Sequence, residues 1–438
     1  MCLVPHFLQL LLVVLYFSNV FVDFELWADG SWQLAARLEA IGDPGAGHRG
    51  KVALEYDQEY ATRTFGAGGS RALSCRYPPS FELWIEAPWP AFVFDILPAG
   101  AARRSLVARR GQQDSSTLDW PLLGGAHFPP GNIRVCPEDP QPQTLHAGFS
   151  RAEVVERGPD FVEYAFQRGA PVAGSTGAQG EAPKFLLAED HTGRWHAEGA
   201  LPERQVAQHW LVKFPRGRHP TDQTILAEEA RYMELARGAG LRVNRALSHE
   251  DGCLFVPRFD RLGADCLGLE SLASLSGISG YGAAQSLQQS ARVIARHCTD
   301  PPAELRELLL RDVFNLAVGN TDNHLRNTSV LKYPHGRVEL SPLYDLAPMI
   351  LDREGIPRAS RWGQRERSGD VDWAGVVSDL ETLGGVASEL RDALGTMAEL
   401  VGDLANQMRG LGVDRALVDL LRRGHTALAH DLERGARA

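Results

Sequence analysis

Hydrophobic and polar positions follow two different rules along this chain. Up to about residue 260 the apolar residues fall in short blocks separated by Gly- and Pro-rich turns. Residues 52–56 and 81–85 are rich in β-branched and aromatic side chains and predict strands. Residues 132–135 predict a closing strand, and residues 101–110 a basic helix between these strands. A helix is expected at 150–157, then strands at 185–188, 210–214 and 253–256, with a helix over 224–239 between the last two. Beyond residue 280 the apolar positions recur at three- and four-residue spacing, which predicts helices over 283–297, 302–318 and much of 372–424. Within that tail, Gly395, Gly402 and Gly410 are expected to interrupt the helices of 390–417. Residues 358–369 alternate Arg, Ser and Gly and read as a mobile loop. The fold class is therefore α+β. The chain is divided into an apolar segment at 1–23, an N-terminal subdomain at 24–140, a small lobe at 145–262 and a helical lobe at 263–438.

Composition narrows this picture only a little. A length of 438 residues suits two or three lobes, and 44% hydrophobic with 23% charged residues is ordinary for a globular chain. The net charge of −10 argues against autonomous duplex binding, which depends on neutralising phosphates. Six scattered cysteines without a C-x-x-C pair read as reduced thiols, so a cytoplasmic protein is expected. Residues 7–22 are almost wholly apolar, but a membrane span needs roughly 20 residues. The run also lacks the basic flank of a signal peptide. A buried helix, or a start assigned too early, is expected over a membrane anchor.

Candidate chemistry concentrates at Gly319-Asn320-Thr321-Asp322-Asn323-His324-Leu325-Arg326-Asn327, between a predicted helix and a predicted strand. The spacing from Asp322 to Asn327 matches the D-x-x-x-x-N core of a kinase catalytic loop, in which the Asp orients the attacking hydroxyl and the Asn holds magnesium. Four other stretches bear on that reading. Lys213 sits inside an apolar strand, where it either snorkels from an edge or meets an anion. Residues 169–180 form a Gly-rich loop with Gly174, Gly177 and Gly180, suited to a phosphate or simply to a flexible surface. Glu228 and Glu229 occupy the helix that follows Lys213, and Glu229 is the better candidate partner for it. Asp345 follows the strand run of residues 338–341. With Asn327 it supplies the partial oxygen shell that magnesium accepts alongside phosphates and water. Together these residues predict ATP-dependent phosphotransfer.

Residues 320–329 and 340–345 resemble the catalytic and metal-binding segments of the HipA family of serine/threonine kinases, the toxin halves of bacterial toxin–antitoxin pairs. Gly177-Ala178-Gln179 with Lys184, residues 256–261, residues 94–98 and residues 132–138 extend the resemblance, which is closest to the YjjJ-type branch. The resemblance implies a two-lobed, protein-kinase-like fold with an N-terminal mixed α/β subdomain. It further implies that Asp322 is the general base or hydroxyl-orienting residue, that His324 stands beside the phosphates, and that Asn327 and Asp345 bind Mg²⁺. Lys213 and the loop residues Gly177, Ala178, Gln179 and Lys184 would hold the ATP phosphates. Glu229 would pair with Lys213, and Val256, Pro257, Arg258 and Phe259 would contact adenine. Ser175 falls where the family carries a loop serine whose autophosphorylation switches the kinase off.

The family's targets are aminoacyl-tRNA synthetases, and its usual partner is a small helix-turn-helix antitoxin, so DNA would be reached only through that partner. Two departures stand out: residues 180–183 lengthen the phosphate loop, and the apolar run replaces the branch's N-terminal helix-turn-helix. A small-molecule phosphotransferase would share the Asp–Asn logic but opens its loop with His-Gly-Asp, which is absent here. A nucleotide-binding partner without strong catalysis would be expected to lack one of Lys213, Asp322, Asn327 and Asp345.

Overall fold

The computed structural model describes residues 20–137, 146–167, 183–281 and 284–438. Ser175, Gly177, Ala178 and Gln179 lie outside the described residues, as does most of the apolar run. No described helix is long and apolar enough to cross a membrane.

The chain opens on a five-stranded antiparallel sheet in the order β4-β3-β2-β1-β5. Its strands are β1 (Phe21–Ala28), β2 (Ser31–Ile41), β3 (Lys51–Tyr56), β4 (Leu83–Glu86) and β5 (Ile133–Val135). The predicted boundary at residue 23 therefore cuts through β1, because Val22, Phe24 and Leu26 alternate into one core with Leu38, Val52 and Leu54. That alternation is the period-2 signature of a half-buried strand. Helix α1 (Gly100–Arg109) connects this sheet to the segment that returns as β5.

A second antiparallel sheet follows, in the order β7-β6-β8-β10-β9, from β6 (Lys184–Asp190), β7 (Trp195–Ala197), β8 (Val206–Lys213), β9 (Ser248–Glu250) and β10 (Cys253–Pro257). Its core is aromatic, with Trp195, Phe185, Phe214 and Phe255 fully enclosed. Helix α2 (Pro220–Gly238) crosses between β8 and β9. Its Tyr232, Met233, Leu235 and Ala236 pack into the large apolar cluster of the helical part instead of the core of this sheet.

That helical part is built on α3 (Leu287–His297), α4 (Pro301–Val318), α5 (Trp373–Glu381), α6 (Ala387–Gly410) and α7 (Arg415–Arg437), with a three-stranded sheet of β11 (Gly268–Ser271), β12 (Ser329–Lys332) and β13 (Val338–Leu340). Helix α3 starts four residues later than the periodicity predicts, because Ser286 and Gln289 close a capping box there. Helix α6 runs straight through Gly395 and Gly402, contrary to the expected breaks. A helical glycine costs only about 1 kcal/mol relative to alanine. Burial of Leu394, Met397, Val401 and Leu404 on one face outweighs it.

The predicted mobile loop at 358–369 is instead pinned. Arg358 donates to Asp312 of α4 at 2.6 Å and to Glu366 at 2.6 Å. Trp362, fully buried, donates its Nε1–H to Asp312 at 2.7 Å. The polar sequence reads as solvent-facing because Asp312, the partner shared by Arg358 and Trp362, lies about fifty residues earlier.

Candidate active site

Helix α4 ends at Gly319, whose φ of +68° is the left-handed conformation that lets the chain leave a helix sharply. A Cβ there would stand 2.8 Å from Leu421 and 2.9 Å from Ile350, so the base of the loop is clamped between α7 and the segment following Asp345. The loop then runs to β12. The hairpin of β12 and β13, in register at Val330 and Leu340, carries the chain back to Asp345. Loop and carboxylate are thus neighbours by construction.

Asp345 itself has a φ of +52°, a region that costs a non-glycine residue about 1–2 kcal/mol. Its carboxylate receives Lys184 at 3.1 Å and also contacts Lys213. Lys213 in turn meets Glu229 at 2.5 Å. These groups converge because Lys184 and Lys213 are directly opposite each other on β6 and β8, and two like charges so placed need anions nearby. Glu229 supplies one from α2; Glu228 turns away to Arg231 and the amide of Asp414.

The electrostatics follow from this enclosure. Burial opposes charge on Asp345, but Lys184 and Lys213 outweigh it and hold the carboxyl well below the usual carboxylate range. Burial likewise opposes the Lys213 ammonium, and Asp345 with Glu229 raises its pKa above the ordinary lysine value. Burial and the Asp345 charge leave Glu229 above its usual value despite Lys213.

Two residues along each strand from the lysines, Leu186, Leu211 and Val256 form a cross-strand row on the same face. That face roofs a cleft enclosing about 1010 Å³, open mouth included, with Pro257, Phe259, Met233 and Leu343 among its other walls. A mostly apolar slot whose walls also carry charged groups has the make-up of a small-molecule site. Arg258 borders the cleft, but its guanidinium is drawn into ion pairs with Asp260 and with Glu198 at 3.1 Å.

Beside the lysines, the loop places Asp322 Oδ1 3.6 Å from His324 Nε2. Burial raises the Asp322 carboxyl above its ordinary value and lowers that of the His324 imidazole. Asn327 donates to the Asp322 carbonyl at 2.8 Å. Its Oδ1 is buried and has no hydrogen-bond partner. An unpaired buried amide oxygen is costly, and it is the kind of hard donor that a magnesium ion accepts. With the ionised Asp345 carboxylate it fits the expected metal. Asn323 brackets the pinned segment, accepting from Ala359 N and Ser360 N and donating to Ser360 O. Asn320 donates to Asn315 Oδ1 at 2.9 Å.

Sequence reasoning missed the contribution of the N-terminal part. Asp95 and Pro130 both line the cleft. The only local signal was a carboxylate set between Phe94 and Ile96, both buried.

Fold and site together are kinase-like. Residues 176–408, more than half of the chain, match the HipA-like C-terminal domain family, and the chain belongs to that family. It is similar to two proposed kinases of Sinorhizobium fredii (strain NBRC 101917 / NGR234). Similarity to Y4mE is 27% identity over 384 residues, 79% of this chain and 86% of that protein. Similarity to Y4dM is 26% over 290 residues, 62% of this chain, and reaches only 65% of the length of that relative. Among solved structures, a chain of the Shewanella oneidensis MR-1 toxin–antitoxin complex of HipA, HipB and operator DNA superposes with a TM-score of 0.65 at 18% identity. The match covers 95% of this chain and 99% of that one. At that identity the likeness speaks to the fold.

Proposed function

We propose that the chain is an ATP- and Mg²⁺-dependent serine/threonine protein kinase. The observation that carries this reading is the buried Lys213, shared between Glu229 and Asp345 in the wall of a mostly apolar cleft. A lysine so enclosed is matched to polyanionic phosphates, which would take over from Asp345 when nucleotide enters. Val256, Pro257 and Phe259 line the slot that would receive adenine. Asn327 and Asp345 would hold the magnesium ion, which neutralises phosphate charge when bound.

In this reading a substrate hydroxyl oxygen attacks the γ-phosphorus as the bond to the β–γ bridging oxygen breaks. The hydroxyl proton passes to Asp322, whose burial raises its affinity for it. His324, whose imidazole pKa burial pushes down, stands next to that carboxylate. Lys184 would meet the same phosphates from the start of β6. Ser175 is the proposed site of self-phosphorylation, and an aminoacyl-tRNA synthetase is the proposed class of target. By likeness to the HipA–HipB–DNA assembly, a small DNA-binding antitoxin is the proposed partner.

The test is γ-phosphate transfer by purified protein to itself and to a cell extract. Asp322→Ala should lower turnover by roughly 10²–10⁴-fold, the span of general-base contributions, with unfolding unchanged. No ATP- and Mg²⁺-dependent transfer by the wild-type chain would end the kinase reading.

A further inference from the structure

We propose that Asp95, contributed by the N-terminal sheet region, is a positioning residue for the catalytic loop, so that the N-terminal part is a component of the active site. The inference rests on the kinase reading above and adds a residue to it. Asp95 lies in a short helix, Val93–Ile96, 231 residues before Arg326. Its carboxylate is largely enclosed, with the side chain 16% exposed, and it pairs with the Arg326 guanidinium, which is 4% exposed. It also accepts from Ser271 N at 3.0 Å and from Ser271 Oγ at 2.6 Å, so both oxygens are engaged.

Arg326 is held on every side. Its second arm donates to the Gly280 carbonyl at 2.9 Å, and the guanidinium stands 5.7 Å from the Phe94 ring and 5.6 Å from the Tyr281 ring. The backbone of the same residue is tied to the reacting groups. Its amide donates to His324 Nδ1 at 3.1 Å, and its carbonyl accepts from the Tyr344 hydroxyl at 2.8 Å. Asn327 is the next residue along, and Asp345 follows Tyr344. One guanidinium therefore registers His324, Asn327 and Asp345 against each other, and Asp95 is the anion that fixes it. A planar five-donor fork transmits orientation as well as charge.

Contact between the N-terminal part and the rest of the chain is not confined to this pair. Ser74 donates to Glu270 at 2.5 Å, and Lys332, fully buried, donates to the carbonyls of Ala72 and Leu73. Those bonds join the same two parts without touching residues 320–328. They supply the control that separates positioning from mere docking.

Asp95→Asn keeps the shape and an acceptor for Ser271 while removing the charge that faces Arg326. A displacement of about 1 Å in reacting groups costs on the order of 100-fold in rate, so kcat should fall by about that factor while KM for ATP moves by less than about twofold. Amide exchange across residues 320–328 should quicken in the same variant. Arg326→Lys keeps a cation but loses the fork, and should give the same split at smaller amplitude. Combining the two should be no worse than the worse single change, as expected for residues acting as one unit. Ser74→Ala should lower the melting temperature yet leave both kcat and loop exchange at wild-type values. Unchanged exchange in a folded Asp95→Asn or Arg326→Lys protein would overturn the proposal. So would an equal loss of kcat in Ser74→Ala. If the wild-type chain transfers no phosphate, the kinase reading fails by itself, and loop exchange still decides the role of Asp95.

Discussion

Lys213→Met isolates the charge at the centre of the site. Methionine keeps an unbranched stem of nearly the same length, so packing against β6 and β10 survives and the ammonium alone is lost. That ammonium contacts Glu229 at 2.5 Å and Asp345, in a side chain only 4% exposed. Removing one partner of a buried ion pair costs about 3–5 kcal/mol, most of it from the charge left behind. Asp345 keeps Lys184. Glu229, already held above its usual pKa by burial, is pushed further the same way, and protonation relieves about 1.4 kcal/mol for each unit by which its pKa then exceeds the pH. The net loss expected from these terms is about 2–4 kcal/mol. The catalytic loss is separate: deleting one preorganised group aimed at developing charge costs roughly 10²–10³-fold in kcat. Chemical denaturation and a γ-phosphate transfer assay on the same preparations read the two effects. Adding Glu229→Gln removes the orphaned carboxylate, so the double variant should regain at least half of the lost stability and none of the activity. Activity returning together with stability would refute the assignment, since Lys213 would then be a structural group only.

Two further outcomes follow from groups away from the reacting atoms. His209 lies between Glu198 and Glu203, each at 3.1 Å, and although burial opposes its charge these hydrogen bonds raise its pKa above the ordinary imidazole value. A raised folded pKa means that this contribution is complete below the unfolded value of about 6.5 and is lost as pH rises through the folded value. The stability gap between wild type and His209→Gln should therefore be wide near pH 6 and narrow by pH 9. An identical gap at both would show that the imidazole stays neutral. Arg358→Met should cost about 3–5 kcal/mol by leaving the buried Asp312 without its counter-ion. It should also speed tryptic cleavage at Arg361 and Arg365, and a wild-type cleavage rate would show that the segment is held by other contacts.

Much of the local architecture was readable from neighbouring residues alone. Alternation in Val52, Leu54 and Tyr56 and the three- and four-residue spacing of 302–318 each reflect one face meeting one core. The glycine after Val318 marks a helix end whatever surrounds it. The Asp322–Asn327 spacing, a lysine inside an apolar strand and a carboxylate after a hairpin were legible for the same reason: each is anomalous against its own flanks. Local signals fail where distant partners decide. Gly395 and Gly402 of α6 looked like breaks because the burial that outweighs them comes from other helices. Residues 358–369 looked mobile because an Arg- and Ser-rich run is normally solvated, and the partners that hold it, Asp312, Asn323 and Gln288, are distant in sequence.

The sequence by itself determined which residues carry reactive groups and which elements present them, since propensity, periodicity and turn chemistry act over a few residues. Only the tertiary structure decided which charges share an enclosure. Lys184 faces Lys213 through sheet register, Glu229 and not Glu228 reaches them through helix rotation, and Asp95 joins Arg326 across most of the chain. Coulombic pairing depends on distance in space and on exclusion of water, and neither quantity is written along the chain.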